Sequence, residues 1–134
     1  MDIGAIVEEI RGVDWSRYDG PKYYDSSVVA DVLVSLAELE NGGQAEAVGR
    51  NVIWALGNDH AGAYYPAILG ALDFIINIEK NTASEACRLC ASSILNNLYY
   101  FDADVSGYVN ETAEEIEQFV RAKLEPYSDE ALDK

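Results

Sequence analysis

The chain has 134 residues, enough for one domain that removes roughly two-thirds of its unfolded surface from water. Its 24 acidic residues face only 9 basic ones, giving a net charge of −15 and a pI near 4.1. Such a surface is repelled by phosphate backbones and anionic lipid, which argues against nucleic acid or membrane as partner and for a basic protein.

No run approaches the ~20 apolar residues of a membrane span, and Met1–Ala5 carries no basic leader, so a cytoplasmic protein, monomeric on its own, is expected. Residues 1–12 open with Ile3, Ile6, Val7 and Ile10 on one face, an amphipathic helix with Asp2 as cap and Gly12 as stop. Residues 13–24 have no period but hold Trp15, Tyr18, Tyr23 and Tyr24 around an Asp-Gly-Pro turn, so an ordered aromatic loop is expected.

Residues 25–57 read as a helical hairpin. Asp25 or Ser26 caps a helix with the stripe Val28, Val29, Val32, Leu33, Leu36 and Leu39, and Gly42-Gly43 turns it into a return helix with Ala45, Val48, Val52, Ile53 and Leu56 inward. Gly57 is expected to stop that helix in the left-handed region, and Pro66 to start the next one. The helix from Pro66 has apolar residues nearly all round, leaving Asp73, Asn77 and Glu79 for water, which marks it as the core helix.

The hairpin then repeats over residues 66–100. A shift of 39 carries Val29, Val32, Leu33, Leu36 and Leu39 onto Ile68, Ala71, Leu72, Ile75 and Ile78. A shift of 42 carries Ala45, Val48, Val52, Ile53 and Leu56 onto Cys87, Cys90, Ile94, Leu95 and Leu98. Thr82 to Glu85 reads as a capping box for the second return helix, and Thr112 to Glu115 as one for a final helix within residues 110–134 that covers the stack with Ala113, Ile116, Phe119, Val120 and Leu124. The expected fold is all-α, a HEAT- or armadillo-like stack of antiparallel helical hairpins with about six helices.

Few residues suggest chemistry. Cys87 and Cys90 form Cys-x-x-Cys, but there is no second pair and no βαβ pattern, and both fall on the inward stripe with Ile94 and Leu98, as small buried hydrophobes. His60 is the only histidine; beside Asp59 in a turn it is expected to bond carbonyls freed at the preceding helix end rather than to act as a base. No phosphate loop, nucleophile elbow or metal signature is present, so no catalytic residue, cofactor or metal is expected.

Tyrosines are more informative. In antiparallel hairpins the starts of the outgoing helices and the ends of the return helices share one edge, and Tyr18, Tyr23, Tyr24, Tyr64, Tyr65, Tyr99, Tyr100 and Tyr108 all map there. Asp14, Asp19, Asp25, Asp59, Asp102, Asp104 and Glu111 join them, opposed by Arg17 and Lys22, while the opposite edge is charged without aromatics. Tyrosine gives a large contact area with few rotors to freeze, so Tyr18, Asp19, Tyr23, Tyr24, Asp59, His60, Tyr64, Tyr65, Tyr99, Tyr100, Asp102, Asp104, Tyr108 and Glu111 are the candidate partner-binding residues. The competing reading is that these rings plug the open end of a small bundle.

The string Gly-Asn-Asp-His-Ala-Gly-Ala-Tyr-Tyr-Pro-Ala, residues 57–67, resembles one in the helical, HEAT-like immunity proteins of bacterial polymorphic-toxin and contact-dependent growth inhibition systems, and the resemblance runs from about Trp15 to Ile78. It implies a stoichiometric inhibitor that binds a cognate toxin 1:1, often a basic nuclease such as the toxin domain of a CdiA-type effector. It supplies no catalytic residue. A generic HEAT-like adaptor would use the same edge, and an acidic DNA mimic would use the charge but with regularly spaced carboxylates in place of tyrosines.

Overall fold

Three carboxylate or hydroxyl caps set helix starts where the sequence places them. In the computed structural model, which describes residues 1–103 and 112–132, the Asp2 carboxylate accepts from the Ala5 N–H at the head of α1 (Ile3–Arg11). Asp25 accepts from the Ser27 N–H at the head of α2 (Ser26–Ala37), and Thr112 forms a reciprocal capping box with Glu115 at the head of α6 (Ala113–Leu124). Each satisfies donors that the first helical turn leaves orphaned. Between them lie α3 (Ala45–Leu56), α4 (Ile68–Asn81) and α5 (Glu85–Tyr99), and a four-residue turn of helix, Asp129–Leu132, follows α6.

The fold is all-α, with six α-helices of nine residues or more among the described residues. The helix α2 packs along α3 and α4 along α5, the two hairpins meet chiefly through α3 and α5, α1 lies on α2, and α6 closes the far end against α4 and α5. As expected, α4 is central: Ile68, Ala71, Leu72, Ile75 and Ile78 are fully buried, and Asp73 and Asn77 reach water. Leu33, Leu36, Leu56, Ile94, Leu95 and Leu98 complete the core, each burial worth about 1.5–3 kcal/mol relative to exposure.

Several local expectations are corrected. Gly57 is not a left-handed helix stop; its φ is −178°, in extended backbone, and it pairs with Tyr64. The left-handed residue is Gly62, at φ 64°. Between the hairpins stands a three-stranded sheet that no sequence period announces: β1 (Gly57–Asn58) runs antiparallel to β2 (Ala63–Tyr64), which runs parallel to β3 (Asp102–Ala103). Pro66 and Ala67 form a turn, with the Ile68 N–H donating to the Tyr65 carbonyl, so α4 starts at Ile68. Thr82 ends α4 instead of opening a capping box; Ser84 caps α5 by accepting from the Cys87 N–H. On the first hairpin, Val28 is exposed and Val32 and Val48 are only half-buried, although their positions fall on the predicted inward stripes.

Candidate protein-binding surface

Residues 13–24 are pinned, as an ordered aromatic loop should be. Trp15 is buried, its indole N–H donates to the Ile10 carbonyl at 3.1 Å, and its own carbonyl accepts from the Tyr24 hydroxyl at 2.7 Å. The Tyr18 hydroxyl lies directly over Gly70 of α4, where a β-carbon would collide with it and with the Trp15 ring. That approach explains a glycine in the first turn of the core helix, since any side chain there would displace the Tyr18 ring. The Tyr24 and Tyr65 rings meet edge to face at 5.7 Å.

The tyrosine edge therefore divides. Tyr64 is fully buried and Tyr65 nearly so, and neither can anchor a partner in this conformation: Tyr64 lies in β2 between β1 and β3, and Tyr65, just beyond the strand, donates its N–H to the Leu56 carbonyl and packs its ring on Tyr24. Tyr18 and Tyr24 are half-buried structural rings, and burial together with the nearby Tyr18 pushes the Tyr24 phenol up to about 12. Tyr99 donates to Glu125, holding the segment after α6, while Tyr100, 53% exposed, meets Tyr99 edge to face at 4.9 Å and accepts from the Asp129 N–H. Tyr23 is the most open of the described tyrosines, 74% exposed beneath Lys22, and Asp19 is half-buried in the same loop. Asp104, Tyr108 and Glu111 lie outside the described residues.

The acids divide in the same way. Asp14 and Asp25 are spent as caps, and Asp102 is paired with Arg121 at 2.9 Å. Asp59 and His60 stay exposed on the β1–β2 turn. His60 meets the Trp54 ring edge-on at 5.3 Å, a ring contact in the place where bonding to helix-end carbonyls was expected. Trp54 itself, 40% exposed, escaped the sequence reading because only the inward stripe of α3 was followed; an aromatic off that stripe was the available signal.

Below Asp59 a groove of about 560 Å³ opens between α3 and α5. Ile53, Cys90 and Ile94 form its floor, Gly49 and Ala86 keep its walls low, and Leu89, 55% exposed, stands on its rim. Between Ala86 and Phe101 the only charged residue is Arg88, and that is tied to Glu85 at 2.6 Å. In a chain of net charge −15 this is a conspicuously neutral strip: Leu89, Ser93, Asn97 and Tyr100 run up one exposed side of α5. An apolar, charge-poor centre with a polar or charged margin is the anatomy of a protein interface.

Cys90 lies on the groove floor but is a poor nucleophile. Both cysteines are free and buried; Cys87 donates to the Leu36 carbonyl and Cys90 to the Ala45 carbonyl, and burial raises both thiols, Cys90 to about 11. Among the described residues no group of three or more His, Cys, Asp or Glu side chains is placed to hold a metal ion, and no helix is long and apolar enough to cross a membrane. No protein-family model, curated protein or solved structure matches the chain.

Proposed function

We propose that the chain is a stoichiometric protein inhibitor, an immunity protein that binds a basic toxin domain 1:1 in the cytoplasm. The observation that carries this reading is the groove between α3 and α5, with an apolar floor of Ile53, Cys90 and Ile94, a charge-free α5 wall and a charged margin of Glu46, Arg50 and Asp59, on an otherwise strongly acidic chain. Acidic surroundings steer a basic partner in, and a desolvated apolar centre then holds it. Tyr23, Asp59, His60 and Tyr100 are the contact residues this reading keeps from the sequence-derived set, joined by Leu89. The likeness of residues 57–67 to a string in HEAT-like immunity proteins supports the toxin as the partner class.

A neutralisation assay tests this. The chain is co-expressed with a candidate toxin domain, taken from any basic reading frame that adjoins its gene, and growth is scored with wild type and with Leu89→Glu. Wild type should restore growth and co-purify with the toxin domain at 1:1, while Leu89→Glu, at an exposed position, should fold yet protect poorly. Growth arrest despite abundant folded wild-type chain would refute the inhibitor reading.

A further inference from the structure

The exposed crest of α5 has a groove on each flank. Leu89 and Ser93 line the groove toward α3, and they also line a second one of about 460 Å³ whose far wall is the turn of helix Asp129–Leu132. Leu132, 50% exposed, lines this second groove opposite Leu89. The wall is fixed in place from α5: Asn96 donates to the Tyr127 carbonyl at 2.8 Å and to the Asp129 carboxylate at 3.0 Å, and the Tyr100 hydroxyl accepts from the Asp129 N–H at 2.9 Å. Tyr127 and Ser128, just before it, are buried.

Charge and backbone together specify what fits this surface. The crest residues Leu89, Ser93, Asn97 and Tyr100 are uncharged and exposed, and they extend over about three turns, roughly 16 Å. Both margins are net acidic, with Glu46 and Asp59 against Arg50 on the α3 side and Asp129 and Glu130 on the other. An uncharged row between two acidic margins is complemented by an apolar row between two basic ones. Between its ends α5 bonds its amides and carbonyls to one another, so the surface offers a partner side chains alone. An extended segment laid on it would bury amides without acceptors, whereas a helix arrives with its backbone already satisfied. A row of side chains four residues apart, with a groove on either flank, is also the ridge against which a second helix packs.

We propose that this surface receives an amphipathic α-helix of the partner, with an apolar stripe seated along the α5 crest and Lys or Arg on both sides of the stripe. The proposal deepens the inhibitor reading and rests on it for the partner being basic. It widens the contact from the groove between α3 and α5 to both flanks of α5, and it adds Leu132 as an anchor. Asn96 acts as a positioning residue, since it holds the turn that carries Leu132.

Fluorescence anisotropy on the full chain at roughly 0.15 M salt tests this with designed peptides. Short isolated helices are marginal in water, so the probe is a stapled peptide of about four turns with a leucine stripe between two lysine rows. One control has the same composition rearranged to break the stripe, and the other is unstapled and interrupted by proline. The striped helix should bind at least about tenfold more tightly than either control. Leu89→Ser and Leu132→Ser should each weaken it about fivefold or more, and Val28→Ser, exposed on α2, should not, with circular dichroism unchanged in all three. Equal binding of the striped and rearranged peptides would mean attraction by charge alone, and binding of the proline peptide as tightly as the helix would assign the surface to an extended segment. An inert Leu132→Ser would confine the occupant to the groove between α3 and α5. Each of these results overturns the proposal. The inhibitor reading fails separately: protection from the toxin without peptide binding removes the helix alone, and peptide binding without protection keeps the helix and removes the inhibitor.

Discussion

Gly57 and Ala63 approach so closely that the Ala63 carbonyl oxygen occupies the space a β-carbon on Gly57 would need. The contact exists because β1 and β2 pair across a tight turn, with the Tyr65 N–H donating to the Leu56 carbonyl at 2.7 Å just beyond it. Gly57→Ala should therefore destabilise the fold by about 2 kcal/mol or more, through displaced backbone rather than backbone torsion. Gly62→Ala should cost only ~1 kcal/mol, since nothing stands near its β-carbon and the penalty is that of a left-handed residue. Gly62→Asn should recover part of it. Urea unfolding of the three variants gives the order directly; equal losses at both glycines would remove the steric account.

The caps give a second set of outcomes. Thr112→Ala and Ser84→Ala should each lower stability by about 1 kcal/mol, because each side chain satisfies an N–H in the first turn of its helix. Thr82→Ala should cost less, since its hydroxyl accepts from Ser84 outside a helical turn. Thermal melts of the three variants check this; a larger loss at Thr82 than at Ser84 would restore the capping box read from the sequence.

Most of the helical frame was legible because six apolar periods are written in the chain, and three of the six starts are marked by side-chain caps, Asp2, Asp25 and Thr112, where the pattern says. The sheet was not legible. Its strands are two residues long and come from three separated segments, so there is no period of two to read. The site was half legible for a different reason. Tyrosine suits both a core and an interface, and which ring turns inward depends on distant residues: Gly70 makes room for Tyr18, and the β1–β2 pairing carries Tyr64 inside. Val28, Val32 and Val48 obey the helical period yet lack cover, because periodicity reports an apolar face and not what lies against it.

Buried thiols and phenols together set the alkaline behaviour, since burial raises Tyr64 and Tyr127 as well as the cysteines and Tyr24. Cys87 and Cys90 have thiols raised by burial, Cys90 to about 11 against an ordinary 9, and the Tyr24 phenol is raised to about 12 from 10. Groups raised in the folded state hold their protons longer than the unfolded chain does, so the stability tied to them is intact below pH 9 and is lost as pH climbs through 9 to 12. Denaturant midpoints taken across that window should fall steadily. At pH 8 a thiol reagent should label neither cysteine in the native chain and both after unfolding; rapid native labelling of Cys90 would contradict its buried assignment.

The most direct measurement of the proposed partner binding is rapid mixing of the chain, across a salt series, with a basic toxin domain that it neutralises, reading capture and dissociation separately. The association rate should fall as salt rises, with steering worth about 10 to 1,000-fold. Leu89→Glu and Tyr100→Ala should shorten the lifetime of the complex at least about tenfold, since desolvated anchors act through dissociation. Asp59→Lys should slow capture and flatten its salt dependence. The control is Glu38→Lys with Glu40→Lys, both exposed at the far edge; Glu79 is unsuitable there, because its carboxylate accepts from the Tyr127 hydroxyl. Long-lived complexes with the far-edge variant and short-lived ones with Leu89→Glu are the predicted result; equal lifetimes for the two, with both chains folded, would contradict the assigned surface.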